Sequence, residues 1–133
     1  MSEQQQKRMK SYVLPEAVYR QALWAVRDLP RMKEKLQELE SVLDSLPQAY
    51  TGMPRGGGLP ADFTAKRAGE IASLSLRIHL IEDALRSIPE KYQDGMLDKL
   101  AYGVPFPDRF HGNTWKKWQQ IFIYQVAVNL QIY

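Results

Sequence analysis

Leu29-Pro-Arg-Met-Lys-Glu-Lys-Leu-Gln-Glu-Leu-Glu-Ser-Val-Leu-Asp-Ser-Leu46 and Ile71-Ala-Ser-Leu-Ser-Leu-Arg-Ile-His-Leu-Ile-Glu-Asp-Ala-Leu-Arg-Ser-Ile88 share one rhythm. In the first, Leu29, Met32, Leu36, Leu39, Leu43 and Leu46 are spaced 3, 4, 3, 4, 3. In the second, Ile71, Leu74, Ile78, Ile81, Leu85 and Ile88 repeat that spacing. A repeat averaging 3.5 residues keeps one apolar seam turned toward a partner helix. The equal lengths predict an antiparallel hairpin within one chain. The competing arrangement is pairing between chains, which would make a homo-oligomer.

Working outward, the span from Pro47 to Asp62 holds Gly52, Pro54, Gly56, Gly57, Gly58 and Pro60, and reads as a linker. Arg55 before three glycines does not make a phosphate loop, because no Lys and Ser or Thr follow the last glycine. Asp62 and Thr64 are candidate caps for the second long helix. On the other side, residues 1–12 are polar and read as a flexible terminus. Pro15 and Glu16 suit a helix start, and that helix runs to about Asp28, where Pro30 interrupts it. Pro89 and Glu90 open a further helix that stops at Gly103. Val104 to Gly112, with Pro105 and Pro107, is loop. The final segment alternates like a strand through Phe122, Tyr124, Val126, Val128, Leu130 and Ile132. Helix is the better reading, because Asn113 or Thr114 can cap it and Trp115, Trp118 and Phe122 follow helical spacing. The expectation is an all-α fold of five helices, divided as 1–12, 13–88 and 89–133.

Composition narrows the function classes. Net charge is +3, and it is unevenly spread. From Asn113 onward there are two lysines and no acid. With no cysteine, disulfides and thiolate metal sites are excluded. His79 and His111 are far apart, and Glu34, Glu38, Glu40, Glu82 and Asp83 read as solvent-facing helix residues, so no metal or cofactor is expected. Ser73, Ser75 and Ser87 lack a neighbouring base, so the chain reads as a protein without enzymatic activity. The start has no apolar core of a signal peptide and no run approaches the ~20 residues of a membrane span, so no membrane partner and a cytoplasmic location are expected.

The chemistry concentrates in the last helix. Trp115, Trp118 and Phe122 fall on one face, with Lys116, Lys117, Gln119 and Gln120 expected mostly on the other. Lysine holds phosphate as a point charge, and glutamine makes paired hydrogen bonds to adenine in a major groove. Asn113 and Thr114 would place the helix N-terminus, with its free N–H groups, against phosphate. These six residues are the candidate DNA-binding set: Asn113, Thr114, Lys116, Lys117, Gln119 and Gln120. His111 reads as an exposed loop residue. The bland alternative is a solvated helix face over core aromatics.

Ala84-Leu-Arg-Ser-Ile-Pro-Glu-Lys-Tyr-Gln93 resembles the opening of the promoter-reading C-terminal domain of sigma factors. With Tyr12-Val-Leu-Pro-Glu-Ala-Val-Tyr19, Met53-Pro-Arg-Gly-Gly-Gly58, Phe63-Thr-Ala-Lys66 and Thr114-Trp-Lys-Lys-Trp118, the layout is similar to phage transcriptional regulators of the RinA type. The resemblance implies a long helical hairpin followed by a small helix-turn-helix-like module. It implies a phage or prophage transcriptional regulator that binds double-stranded DNA and activates late genes with RNA polymerase. Its recognition helix would begin at Thr114, with Lys91 and Tyr92 on the support helix. One departure stands out: only Val104 to Gly112 separates support and recognition helices, where a full helix is usual. A helical adaptor or oligomerisation protein without DNA binding, and a small phage DNA-packaging subunit, are the alternative readings.

Overall fold

A computed structural model describes the backbone of residues 4–50 and 61–133 and the side chains of 4–44 and 63–133. The fold is all-α: five helices and no strand among the described residues. They are α1 (Glu16–Arg27), α2 (Leu29–Tyr50), α3 (Ala61–Asp83), α4 (Glu90–Tyr102) and α5 (Gly112–Asn129). The final apolar segment is therefore a helix, and its strand-like alternation has no second strand to pair with among the described residues.

The breaks between helices have local causes. Pro15 sits just before α1 with extended ψ, where its missing N–H costs nothing. Pro30 falls in the first turn of α2, so it marks a junction at Asp28 and does not kink a helix. α2 continues through Pro47 to Tyr50 and α3 begins at Ala61, so both ends of the expected 47–62 linker are helical. Residues 51–60, with Arg55 and the three glycines, and the Asp62 side chain lie outside the described part. α3 tightens into a 3-10 turn at Ala84–Ser87 and ends at Ile88, before Pro89. Gly103 stops α4 in the left-handed conformation, φ 73°, with its N–H donating to Lys99 and that of Val104 to Asp98. Only glycine takes that conformation without a Cβ penalty.

Two compact units result. The first comprises residues 1–30 and 79–133, and the second Arg31–Ile78. α4 and α5 fall in the first unit, together with α1. α5 packs on α1 and α4, and α1 also packs on α4. Tyr19, Ala22, Leu23 and Val26 make one face of α1, and Trp115, Phe122, Ile123 and Val126 make the inner face of α5; all are buried. At the centre of α4, Gly95 is buried because a Cβ there would lie 2.6 Å from the Trp115 ring. The second unit contains most of α2 and α3. Its Met32, Leu39 and Ile78 are buried, whereas Leu36, Leu43, Ile71 and Leu74 are half-buried.

Within the stretch 1–12, expected to be a flexible terminus, residues 4–12 are described and make specific contacts. Gln5 is buried, its Nε2 donating to the Leu14 carbonyl (2.9 Å) and its Oε1 accepting from the Leu14 N–H (2.7 Å). A 3-10 turn over Lys10–Tyr12 follows, and the Tyr12 ring meets Tyr124 edge-on at 5.2 Å. A polar stretch is ordered here because its amides replace the water hydrogen bonds they lose.

Candidate nucleic-acid interface

The start of α5 is set by His111. Its Nδ1 accepts from the Asn113 N–H at 3.1 Å, and its carbonyl accepts from the Thr114 N–H at 2.9 Å. The cap is therefore His111, in place of the expected Asn113 or Thr114, and the helix begins at Gly112. Two of the N–H groups expected to face phosphate are already partnered. Asn113 is exposed and Thr114 half-buried.

Trp115 ties this end to the loop before it. Its ring stacks on Phe106 at 4.5 Å, meets Tyr92 edge-on at 5.2 Å, and its Nε1–H donates to the Pro107 carbonyl at 3.3 Å. Residues 103–111 contain no helix. The segment between α4 and α5 is thus a proline-rich loop held by Trp115, as Pro105 and Pro107 predict.

Around the aromatic cluster sit unpaired cations. Lys117 lies over the Trp118 ring at 4.7 Å. Lys91 lies 5.4 Å from both the Tyr92 and Phe110 ring centres, and Arg109 lies 5.6 Å from Phe110. Tyr92 in turn touches Phe110 (4.6 Å) and Trp118 (5.7 Å), so the three cations border one connected aromatic patch. Among the described residues, none of Lys91, Arg109, Lys116 and Lys117 forms an ion pair; Arg20, Arg67 and Arg86 do, with Glu16, Glu70 and Asp83.

Gln119 and Gln120 are not where a groove-reading helix needs them. They are only 7% and 2% exposed. Gln119 Nε2 donates to the Tyr19 hydroxyl at 3.1 Å, and Gln120 Nε2 donates to the Met9 carbonyl at 3.1 Å. The buried arc of α5 is wider than the aromatic stripe suggested, because α1 and residues 4–14 cover a second side. Lys116 and Lys117 are exposed as expected.

On the Lys116 side a cleft of about 660 Å³ opens, lined by Arg8, Lys99, Lys116, Asn113 and the amides of the N-terminal segment, with no acidic residue among the described lining residues. Sequence reading missed Arg8, Lys99 and Arg109 as members of this surface. Arg8 is brought in by the Gln120–Met9 bond across 111 residues of chain, which no local spacing signals. Arg109 carries a fainter signal, being a basic residue next to the aromatic Phe110, whereas Lys99 meets Phe106 only in the fold, 5.6 Å from its ring centre.

No helix among the described residues is long and apolar enough to cross a membrane, and no three acidic or histidine side chains among them gather as metal ligands. No protein-family model, curated protein or solved structure matches the chain.

Proposed function

We propose that this chain binds double-stranded DNA through phosphate contacts made by the cations of α4, the loop before α5, and the first turns of α5. The carrying observation is that Lys91, Arg109 and Lys117, around one aromatic patch, and Lys116 beside it have no carboxylate partner among the described residues, so their charge is available to an anion. Counterion release from DNA rewards such charges wherever they meet phosphate. With Gln119 and Gln120 buried, neither of these glutamines is offered to base edges, and Asn113 is the exposed carboxamide left in the first turn. The contacts therefore position the protein on a backbone and carry little sequence preference of their own. In this reading the role is that of a phage or prophage transcriptional regulator of the RinA type. It activates late genes with RNA polymerase, has no catalytic step, and depends on its polymerase partner for promoter choice.

The test is duplex binding by fluorescence anisotropy across a salt series. Each neutralised phosphate contributes a slope of about −0.9, so four contacts give about −3.6 in log K against log salt. Exchanging the duplex sequence should change affinity only slightly. Folded protein that leaves duplex DNA unbound at low salt would move the function to a helical adaptor, for which exposed Trp24 and Tyr102 offer apolar surface.

A further inference from the structure

The cleft beside α5 has a chemistry of its own. Among the described lining residues, its cations Arg8, Lys99 and Lys116 face no carboxylate. Gln120 is held in one orientation, because its Nε2 must donate to the Met9 carbonyl. Its Oε1 is consequently an acceptor, buried and without a partner, and the Oε1 of Gln6 is in the same condition. Both residues line the cleft. An unmet buried acceptor asks for an N–H or O–H donor. The hydroxyls of an inorganic phosphate held at the cations are too few and too close to them to serve both acceptors, whereas a nucleoside brings several donors at a distance from its phosphate. Phe106 adds an apolar wall, fixed by its stack on Trp115. The volume lies within the range of small-molecule sites.

From this combination we propose that the cleft binds a small organic phosphate carrying N–H or O–H donors, of nucleoside monophosphate size. The phosphate lies among Arg8, Lys99 and Lys116. The polar remainder, its ring against Phe106, donates to Gln120 Oε1 and Gln6 Oε1. Both acceptors are closed to solvent in the free protein and become reachable when the two side chains turn toward the cleft they line. The N–H groups of the α5 start are not needed, since those of Asn113 and Thr114 are partnered by His111. The inference rests on the cleft and not on the duplex reading. Bound there, the ligand would bridge the N-terminal segment to α5.

Isothermal titration of the full chain with guanosine 5′-monophosphate, inorganic phosphate and guanosine decides it. The nucleotide should bind at least about tenfold tighter than either of the other two, since only it meets both the cations and the acceptors. Arg8→Ala, a substitution at an exposed residue, should weaken the nucleotide and inorganic phosphate alike, by roughly tenfold. Gln6→Leu should weaken the nucleotide alone. Equal affinity for nucleotide and inorganic phosphate, or nucleotide binding untouched by Arg8→Ala, would overturn the proposal. Nucleotide binding without duplex binding would leave this inference standing and remove the DNA reading. Duplex binding without nucleotide binding would do the reverse.

Discussion

The unit built round α5 and the unit spanning Arg31–Ile78 are held by different means. Around α5 several side chains have directional partners: Trp115 has Phe106 and the Pro107 carbonyl, Gln119 has Tyr19, and Asn129 donates to the Leu80 carbonyl. In the second unit the seam consists of exchangeable aliphatic residues. Several are half-buried, and Val42 and Leu76 beside them are exposed, at 41% and 58%. A repeating aliphatic seam announces that something packs there without naming the partner. Aromatic and amide interlocks name the partner but leave no period to read.

The largest expected effect breaks the first unit. Phe122→Ala and Trp115→Ala should each cost about 3–5 kcal/mol, because both side chains are almost fully buried and the site cannot collapse around Gly95 and the pinned loop. Chemical denaturation followed by far-UV circular dichroism measures this. A loss under about 1 kcal/mol for either would mean that α5 is not the organising element.

The seam should respond more weakly and less evenly. Leu39→Ala, at a buried position, should cost about 2–4 kcal/mol, and Leu74→Ala, at a half-buried one, about 1 kcal/mol. If α2 and α3 pair within the chain, the melting temperature of both variants is independent of protein concentration. A strong concentration dependence would show that the seams meet a second copy instead.

Legibility followed the same division. The seams, the Gly103 stop and the Pro89-Glu90 start were readable because each rests on local backbone or periodicity rules, and the helices stand where those rules put them. What stayed hidden is non-local. Gln119 and Gln120 looked like surface amides, since glutamine is mostly exposed, and only partners about a hundred residues away turn them inward. The cap moved to His111 because an imidazole nitrogen can accept as a hydroxyl or carboxamide does, a choice that residue preferences rank low. The ordered N-terminal segment was missed for the same reason as the glutamines: its polar residues are satisfied by distant backbone.

A third change probes one of those interlocks. Tyr19→Phe leaves the Gln119 amide without its acceptor and should cost about 1–3 kcal/mol. The wild type should also show an alkaline signature. Burial raises the Tyr19 pKa above its ordinary value, outweighing the hydrogen bond from Gln119 and the nearby Arg27, which lower it. The folded state then keeps this proton where the unfolded chain has lost it. The stability contribution is full below the ordinary value near 10 and is lost as pH climbs through the raised one. Tyr19→Phe should remove that part of the alkaline decline. An identical decline in both proteins would show that Tyr19 stays solvated.

The smallest effect on stability should accompany the largest effect on function. Lys116 and Lys117 are exposed, and only Lys117 has a partner, the Trp118 ring. Replacing both by alanine should cost at most about 1 kcal/mol, the size of an exposed cation–π contact. If these lysines meet phosphate, the same double variant weakens duplex binding for every sequence and flattens the salt slope by up to about two units. Gln119→Leu should behave in the opposite way. Its side chain is committed to Tyr19, so the change perturbs folding while leaving the preference among base pairs where it was. A base-specific loss in folded Gln119→Leu would mean that α5 swings this residue outward on DNA. The inward-facing amide seen here would then belong to the free protein alone.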